Sequence, residues 1–369
     1  MKIVKTSSPG RINIIGEHID YNDGYVLPAA INLGTEITLE LNESADSCTF
    51  TSRELNEHFT ITLKNLEEYT PGWGRYLVGA IKSLGDKKEK LTGFTCEISS
   101  KVPLGSGLSS SASLLCSFIG ALNELFELGL EKMDIVNAAV NTERKHVGVN
   151  CGIMDHFTSV MGKADHAIFL DCLTLEYEYL PLDLSEYELL IINTNVSHSL
   201  DTSEYNKRRE ECGLALLKLK ERYAEISNFR DITESQLAAC KDILTATEFK
   251  RLSHVITETA RVIEAKKAII EKNFVGLGEL LFKSHDSLNL DYEVSCEELN
   301  FIVERAKTDA NILGSRMMGG GFGGCTISIA AKGKSEDFVK ELKGAYKSQF
   351  GINCTPLSLG IGDGLKVLS

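Results

Sequence analysis

The sequence predicts an α+β protein with two domains packed around a cleft. The chain has 369 residues, more than one hydrophobic core usually supports, and its 43% hydrophobic and 25% charged residues are ordinary for a globular protein. Short runs of alternating apolar and polar residues predict strands in its first part, and long helical patterns follow. We place the domain boundary near residue 185, which gives domains of residues 1–184 and 185–369.

Each element is predicted from its own periodicity. Strands are expected where apolar and polar residues alternate, and helices where apolar residues recur three and four positions apart. The most regular helical stripe runs from Leu114 to Phe126 and stops at Gly129. In chain order, the predicted elements are strand Glu36–Leu41, helix Trp73–Leu84, strand Leu91–Ser99, a helix that begins after Ser109, helix Met133–His146, strand Leu189–Ile192, helices Ser203–Tyr223, Val255–Lys272 and Glu297–Ala306, strand Cys325–Ala330, and a closing helix and strand.

The net charge, the lack of long apolar stretches and the spacing of the cysteines argue against several classes of protein. The formal net charge is −13, from 39 basic and 52 acidic residues, and no basic cluster offsets the repulsion of a nucleic-acid backbone. The N-terminus lacks the apolar stretch of a secretion signal, and no run of about eighteen apolar residues predicts a membrane span. The ten cysteines are scattered from Cys48 to Cys354 without a C-x-x-C pair, which predicts reduced thiols in the cytoplasm.

A glycine- and serine-rich loop leads into the most regular predicted helix. Residues 102–112 read V-P-L-G-S-G-L-S-S-S-A, where Gly105 and Gly107 permit a tight turn and the helix start offers free N–H groups to a phosphate. The hydroxyls of Ser109–Ser111 can cap the helix, bind phosphate or reach Mg²⁺. No lysine follows the glycines, so the loop is not a Walker A motif. A serine-capped helix without a ligand is the alternative.

A second glycine-rich loop spans Gly319–Gly324 and reads G-G-G-F-G-G. It matches the dinucleotide fingerprint G-x-G-x-x-G in letters only, because the apolar run Cys325–Ile329 predicts a strand after it rather than a helix. This order of elements argues against a Rossmann enzyme. Such a loop indicates a close approach of the backbone to a ligand or to a neighbouring loop, with a flexible turn as the alternative.

A polar segment lies near the N-terminus, between Ser8 and Pro28. It gathers Arg11, Glu17, His18 and Asp20 among apolar residues, and these side chains offer the donors and acceptors that a sugar site requires. Each of them alone is more often a surface or turn residue, and the N-D-G tripeptide that follows is a turn signal.

Two acidic residues stand close together in the middle of the chain. Glu143 ends a predicted helix, and Asp155 follows a glycine-containing turn. We hypothesise that Glu143 holds a divalent metal that bridges phosphates, and that Asp155 orients or deprotonates an attacking hydroxyl. The alternative for both is an ordinary solvated acid.

Taken in order, these segments resemble the GHMP family of small-molecule kinases, which includes galactokinase, homoserine, mevalonate and phosphomevalonate kinases. The galactokinase branch is the most similar. The motifs that carry the resemblance are R-I-N-I-I-G-E-H-I-D-Y-N, P-L-G-S-G-L-S-S-S-A and G-S-R-M-M-G-G-G-F-G-G-C, with C-G-I-M-D-H-F and S-E-Y-N-K-R-R-E-E-C as support. The resemblance implies a ribosomal-protein-S5-like N-terminal domain and a ferredoxin-like C-terminal domain. It also implies that ATP, with Mg²⁺, phosphorylates a monosaccharide, foremost galactose at its anomeric hydroxyl.

The resemblance also assigns roles to single residues. Asp155 matches the catalytic aspartate, and Arg11 matches the arginine beside it, which favours an ionised carboxylate. Ser111 and Glu143 match the magnesium ligands, with Ser110 as a rival for the first. The expected sugar contacts are Glu17, His18, Asp20, Gly152 and Tyr205. The expected nucleotide contacts are Gly105, Ser106, Gly107, Leu108, Ser109, Ser110 and Ser111, with Trp73 and Tyr76 as the aromatic pair near adenine or, alternatively, as ordinary helix packing.

Five positions depart from the usual galactokinase pattern and leave the sugar open. They are His156 in place of Gln, Asn150 in place of Pro, Arg75 in place of Asn, and Ile19 and Met318 each in place of Thr. A kinase of N-acetylgalactosamine, mannose or arabinose is one alternative. A ligand sensor without activity is another, although intact Arg11, Asp155 and phosphate loop argue against it. The expected partners are a monosaccharide and ATP, with no nucleic acid and no membrane; the sequence does not predict oligomeric state, anomer preference or regulation.

Overall fold

The computed structural model describes residues 2–42, 46–67, 72–197 and 202–368 of the chain. The strands in these ranges are β1 Ile3–Asn13, β2 Tyr25–Val26, β3 Pro28–Leu41, β4 Ser47–Ser52, β5 Glu57–Thr62, β6 Phe94–Ser100, β7 His166–Asp171, β8 Tyr177–Pro181, β9 Tyr187–Ser197, β10 Ile312–Met318, β11 Gly323–Ala331, β12 Thr355–Leu357 and β13 Lys366–Val367. The α-helices are α1 Gly74–Ser83, α2 Ser110–Phe126, α3 Lys132–Thr142, α4 Met154–Met161, α5 Thr202–Arg222, α6 Glu234–Ala239, α7 Ala246–Ile270, α8 Phe274–Leu290, α9 Glu297–Lys307 and α10 Ser335–Phe350. This mixture confirms the α+β prediction.

The first sheet has six strands in the order β13-β1-β3-β6-β4-β5. All neighbours are antiparallel except β4 and β6, which run parallel. Helix α2 packs on this sheet because its apolar stripe meets the inward side chains of the strands: the ring of Phe118 lies 5.8 Å from that of Phe50 and 6.3 Å from that of Phe94. The start of α2, which follows the glycine- and serine-rich loop, is therefore held against this sheet.

The second sheet is antiparallel, with the order β10-β11-β9-β12, and a three-stranded sheet β2-β7-β8 lies apart from it. Helix α8, which the sequence patterns did not predict, packs closely on β10. Gly278 makes this approach possible, since a Cβ there would lie 2.1 Å from the backbone oxygen of Leu313. Two glycines in its first turns weaken the helical signal of α8.

The predicted boundary near residue 185 falls between β8 and β9, which belong to different sheets. The last strand nevertheless returns to the first sheet, where Thr6 pairs with Val367 and Ser7 with Lys366. The C-terminal end of the chain thus completes the N-terminal sheet, and the boundary itself stays a prediction.

Most predicted elements are present, with shifted ends. The strand predicted from Leu91 begins at Phe94, and the helix predicted to reach His146 changes to a π-helix at Glu143–Val147. Helix α4 and strand β10 were not predicted, although both carry motif residues. None of the helices in the described ranges is long and apolar enough to cross a membrane.

Candidate active site

Arg11 and Asp155 form an ion pair at the centre of the site. Arg11 lies on β1 next to a break in strand register, and Asp155 lies in the first turn of α4. The Nε atom of Arg11 donates to Oδ1 of Asp155 and its NH2 group donates to Oδ2, both over 2.8 Å. Burial opposes the charge of Arg11, but the carboxylates of Asp155 and Glu17 outweigh it and raise the pKa of the guanidinium. This two-point contact fixes the plane of the Asp155 carboxylate.

The phosphate loop is tied directly to this ion pair. Gly105 and Gly107 have φ angles of 68° and 73°, as the predicted tight turn requires. The NH1 group of Arg11 donates to the carbonyl of Gly107, and the hydroxyl of Ser109 donates to Oδ2 of Asp155. Ser109, with φ 61°, precedes α2 but does not cap it through its side chain. The capping alternative is therefore wrong for Ser109, because its hydroxyl is engaged by the carboxylate.

Two other loop residues turn their side chains away from the cleft. Ser106 and Leu108 are each 1% exposed, and the Ser106 hydroxyl donates to the carbonyl of Pro103. Their expected contact with a nucleotide is thereby restricted to backbone groups, and it stays a prediction.

The two glycine-rich loops pack against each other. A Cβ on Gly107 would lie 3.1 Å from the carbonyl oxygen of Met318, and one on Gly319 would lie 3.0 Å from the oxygen of Gly107. A Cβ on Gly321 would lie 2.1 Å from the oxygen of Val294. The neighbouring-loop alternative from the sequence therefore describes Gly319 and Gly321, while an approach of this loop to a ligand stays a prediction, since Gly320 and Gly324 line the cleft.

The five predicted sugar-binding residues line one pocket. The space within it, part of which is open to solvent, is about 390 Å³, and Arg11 and Asp155 form part of its wall. The residues that the sequence predicted for the sugar and that line it are Glu17, His18, Asp20, Gly152 and Tyr205. Polar groups from distant parts of the chain therefore converge as a hydroxyl-rich ligand requires.

Glu17 is held by the second glycine-rich loop and by two side chains, those of Asn13 and Arg316, to which the sequence assigned no role. Its Oε1 accepts from the backbone N–H of Gly319 over 2.7 Å and lies 3.3 Å from NH2 of Arg316. Asn13 donates to Oε2. Arg316 is fully buried, so its pairing with Glu17 takes place away from solvent. An arginine among the apolar residues of a strand is the signal that could have revealed this pair.

His18 is neutral and uses both ring nitrogens within the protein. Burial, reinforced by the His254 ring, lowers its pKa to about 3. Nε2 lies 3.2 Å from the carbonyl of Gly320, which can only accept, so Nε2 carries the proton. Nδ1 then accepts from the hydroxyl of Tyr21 at 2.7 Å. The ring also lies 5.4 Å from that of Tyr205, so His18 shapes the pocket.

Asp20 is the group in this pocket that titrates near neutrality. Burial, followed by the repulsion of Asp155, raises its pKa to about 7. Its Oδ2 accepts weakly from the backbone N–H of Met154 at 3.4 Å. A Cβ on Gly152 would lie 1.8 Å from this oxygen, so any residue larger than glycine would force Asp20 to move.

The side of the site that is expected to bind the nucleotide is a larger cleft, with about 1100 Å³ of space that is partly open to solvent. Tyr76 lines it, together with the apolar side chains of Val149, Val196 and Phe322, which the sequence did not predict. Trp73 does not line it. Its Nε1 donates to Glu57 over 2.6 Å, and its ring lies 4.8 Å from that of Phe59.

Ordinary packing, the alternative given for the aromatic pair, thus describes Trp73 in this structure. Tyr76 faces the cleft instead, and the guanidinium of Arg75 lies 5.9 Å from the Tyr76 ring.

Glu143, Ser110 and Ser111 line this same cleft. Glu143 is only 6% exposed and offers carboxylate oxygens, and the serines offer hydroxyls. Mg²⁺ prefers oxygen ligands and keeps several waters and phosphate oxygens, so these residues fit it. Both serines border the cleft, so the choice between them stays open.

The departures from the galactokinase pattern lie in different surroundings. Ile19 and Met318 are both fully buried, but Met318 forms part of the wall of the cleft, whereas Ile19 affects packing behind the site. Asn150 receives a hydrogen bond from Arg209 at its carbonyl and donates its N–H to Asn206. His156 is fully buried on α4, with Nε2 3.7 Å from the Glu143 carboxylate.

Comparison with known proteins agrees with this geometry. Residues 75–163 match the GHMP kinases N terminal domain, residues 3–40 the galactokinase galactose-binding signature and residues 265–349 the GHMP kinases C terminal domain. The galactokinase of Thermotoga neapolitana is 45% identical, over 98% of this chain and 99% of its own length. That of Clostridium perfringens is 40% identical, over 97% of this chain and 93% of its own.

Solved structures are similar too. Lactococcus lactis galactokinase complexed with galactose superposes with a TM-score of 0.95 at 36% identity, covering 100% of this chain and 95% of its own. The mevalonate kinase of Methanococcus jannaschii reaches a TM-score of 0.66 at 19% identity, covering 100% and 98%, and shows the fold alone. The chain therefore belongs to the GHMP kinase family and, within it, to the galactokinases, with the α+β fold that its motifs predicted.

Proposed function

We propose that this chain transfers the γ-phosphoryl group of ATP to the anomeric hydroxyl of galactose, giving galactose 1-phosphate and ADP. One observation carries the proposal. Arg11 and Asp155 border both the pocket of Glu17, His18 and Asp20 and the cleft of the phosphate loop. A sugar in the first and a nucleotide in the second would meet at this ion pair.

The choice of galactose is supported from two sides. The galactose-binding signature covers residues 3–40, which contain three of the five predicted sugar contacts, and the Lactococcus lactis relative was solved with galactose. The pocket also has few flexible parts: Glu17 is held by Gly319 and Arg316, and both ring nitrogens of His18 are engaged. Preorganised polar groups favour one arrangement of sugar hydroxyls.

In the proposed mechanism, Asp155 orients the anomeric hydroxyl and accepts its proton. An ionised carboxylate has roughly four acceptor sites, and three hydrogen bonds from Arg11 and Ser109 occupy Oδ1 once and Oδ2 twice. A free site on Oδ1 is left for the substrate hydroxyl. Catalysis rests chiefly on positioning, as is usual in phosphoryl transfer.

Arg11 has two tasks in this proposal. It fixes Asp155, and its buried positive charge lies beside the carbonyl of Gly107 in the phosphate loop, where it offsets charge on the transferring group. Glu143 with Ser111, or Ser110 in its place, would hold Mg²⁺. When bound, Mg²⁺ neutralises negative charge on the phosphates.

The proposed location is the cytoplasm, where ATP is present. Every cysteine of the chain is a free thiol in this structure, in keeping with a reducing compartment.

The test is a coupled ADP-release assay with Mg-ATP against galactose, N-acetylgalactosamine, glucose, mannose and arabinose, with Asp155→Asn as the control. Turnover with galactose that disappears in the variant supports the proposal. Turnover with another sugar alone would keep the kinase and reassign its substrate. No turnover with any of them would refute the proposal in favour of a ligand sensor, which a pull-down requiring both ATP and sugar would then reveal.

A further inference from the structure

A carboxylate, a thiol and an imidazole lie close together at the proposed magnesium site. The carboxylate of Glu143, the thiol of Cys151 and a ring nitrogen of His156 all lie within 4.8 Å of one another. They come from three different local elements: the end of α3, the turn before α4, and α4 itself. Cys151 and Glu143 line the cleft, so an ion in solution can reach them.

His156 supplies the second, independent observation. Its side chain is fully buried, yet within the described part of the chain neither ring nitrogen has a hydrogen-bond partner. A buried polar group without a partner costs roughly 1–3 kcal/mol, and native proteins seldom leave one in that state. Nε2 is aimed at the Glu143 carboxylate across 3.7 Å, which is too long for a hydrogen bond.

That spacing suits a metal ion between the two groups. In a tetrahedral site with bonds of about 2.0–2.3 Å, ligand atoms lie about 3.3–3.8 Å apart. The distance of 3.7 Å between Nε2 of His156 and Oε2 of Glu143 already falls in this range. The thiol of Cys151 lies within 4.8 Å of both groups, so it needs to move only a short way inward to join them. Carboxylate, thiolate and imidazole together favour zinc-class ions over Mg²⁺, which prefers oxygen alone.

We propose that Glu143, Cys151 and His156 form a binding site for a thiophilic divalent cation of the Zn²⁺ class, and that its occupation inhibits phosphoryl transfer. Three protein ligands leave a fourth position for water or a phosphate oxygen on the cleft side. Binding releases the thiol proton of Cys151 to solvent and forms a metal–thiolate bond. Glu143 is shared with the proposed magnesium site, so the ion withdraws this carboxylate from Mg²⁺. The inhibition rests on the proposed function, whereas the binding does not.

Cobalt tests the binding without any activity measurement. Co²⁺ is titrated into the chelator-treated full chain, and a thiolate-to-cobalt charge-transfer band is followed in the near ultraviolet. We expect a saturable band with one ion per chain, its loss in Cys151→Ser, and an affinity at least about tenfold weaker in His156→Gln. Cys296→Ser is the matched control, because this half-buried thiol lies outside the cluster, and it should leave the band unchanged.

No band in the wild-type chain, or a band that persists in Cys151→Ser, would overturn the site. Thermal melting followed by circular dichroism establishes that each variant is folded. Cys151→Ser replaces a single atom, so it decides the question even if His156→Gln does not fold.

Zinc inhibition tests the second half of the proposal. Each protein is compared with its own rate in Mg-ATP without zinc, at one fixed ATP concentration, because ATP itself binds Zn²⁺. We expect half-inhibition of the wild type to need more Zn²⁺ as Mg²⁺ is raised, and both Cys151→Ser and His156→Gln to need at least about tenfold more than the wild type. Equal inhibition of all three proteins would overturn the inhibitory role. If no sugar were phosphorylated, the cobalt titration would still decide the site.

Discussion

Replacing Asp155 by Asn separates the catalytic role of this residue from its structural one. The amide keeps the size of the carboxylate, and its oxygen can still accept one hydrogen bond from Arg11. The new NH₂ group, however, faces donors, because Oδ2 of Asp155 accepts from both Arg11 NH2 and Ser109 Oγ. Arg11 is only 4% exposed, so its charge loses its nearest counterion in a buried place.

Two magnitudes follow from this geometry. Removal of a positioned base typically costs about 10²–10⁴-fold in rate, or roughly 3–5 kcal/mol in the activation free energy. Loss of one partner of a buried ion pair costs about 3–5 kcal/mol of stability. We expect a smaller loss here, about 2 kcal/mol, because the Asp155 side chain is 30% exposed and the carbonyl of Gly107 still accepts a hydrogen bond from Arg11.

The chain offers a matched control in Asp171. Arg230 donates to both of its oxygens, over 2.8 and 2.9 Å, and the two side chains are 13% and 16% exposed. Asp171→Asn therefore breaks a similar two-point pair without touching the cleft, with a similar loss of about 2 kcal/mol.

Urea unfolding and steady-state kinetics of both variants complete the test. We expect similar losses of stability, but a large fall in kcat only for Asp155→Asn, with its KM for ATP little changed. The assigned role of Asp155 would be refuted if Asp155→Asn kept more than about a tenth of the wild-type kcat. It would also be refuted if the kcat of Asp171→Asn fell as far as that of Asp155→Asn.

Three further predictions concern the sugar pocket. Gly152→Ala places a methyl group 1.8 Å from Asp20 Oδ2, so Asp20 must move, and we expect the KM for the sugar to rise by roughly 10–100-fold while that for ATP is unchanged. Gly344→Ala, where nothing lies within 4 Å, should leave both constants unaltered; an equal effect of the two substitutions would contradict the reasoning. Because burial beside another carboxylate raises the pKa of Asp20 to about 7, the folded chain binds a proton that the unfolded chain loses near pH 4. The stability that this proton contributes is complete below that pH and is lost as the pH rises to 7. Urea unfolding should therefore show that the free energy of unfolding falls less between pH 5 and pH 8 in Asp20→Asn than in the wild type. An equal fall in both proteins would exclude Asp20 as the origin of the pH dependence. Arg316→Met leaves Glu17 buried without its cation and should lower the free energy of unfolding by about 3–5 kcal/mol; a loss below about 1 kcal/mol would mean that Asn13 and Gly319 suffice.

Several sequence predictions differ from the structure for identifiable reasons. Trp73 was paired with Tyr76 by motif, but a polar partner for its indole at Glu57 and an aromatic one at Phe59 hold it outside the cleft. Ser109 was a possible helix cap, but Asp155, 46 positions away in sequence, engages its hydroxyl. Helix α8 escaped prediction because two glycines in its first turns weaken the helical pattern, and one of them, Gly278, is used for close packing on β10.

The sequence by itself determined the local features of this protein. Periodicity predicted α2, glycine spacing predicted the positive φ angles at Gly105 and Gly107, and motif order indicated the kinase family. These features depend on neighbours within a few positions, whose spacing the chain displays directly.

Only the tertiary structure decided which distant groups meet. Arg11 reaches Asp155 across 144 positions, and the N–H of Gly319 reaches Glu17 across 302. Within the described residues neither ring nitrogen of His156 has a hydrogen-bond partner, and the sequence, which marked His156 only as a departure from the galactokinase pattern, did not predict this ring beside Glu143. Such contacts arise when separate apolar faces pack into one core, and packing leaves no periodic trace in the residues that it brings together.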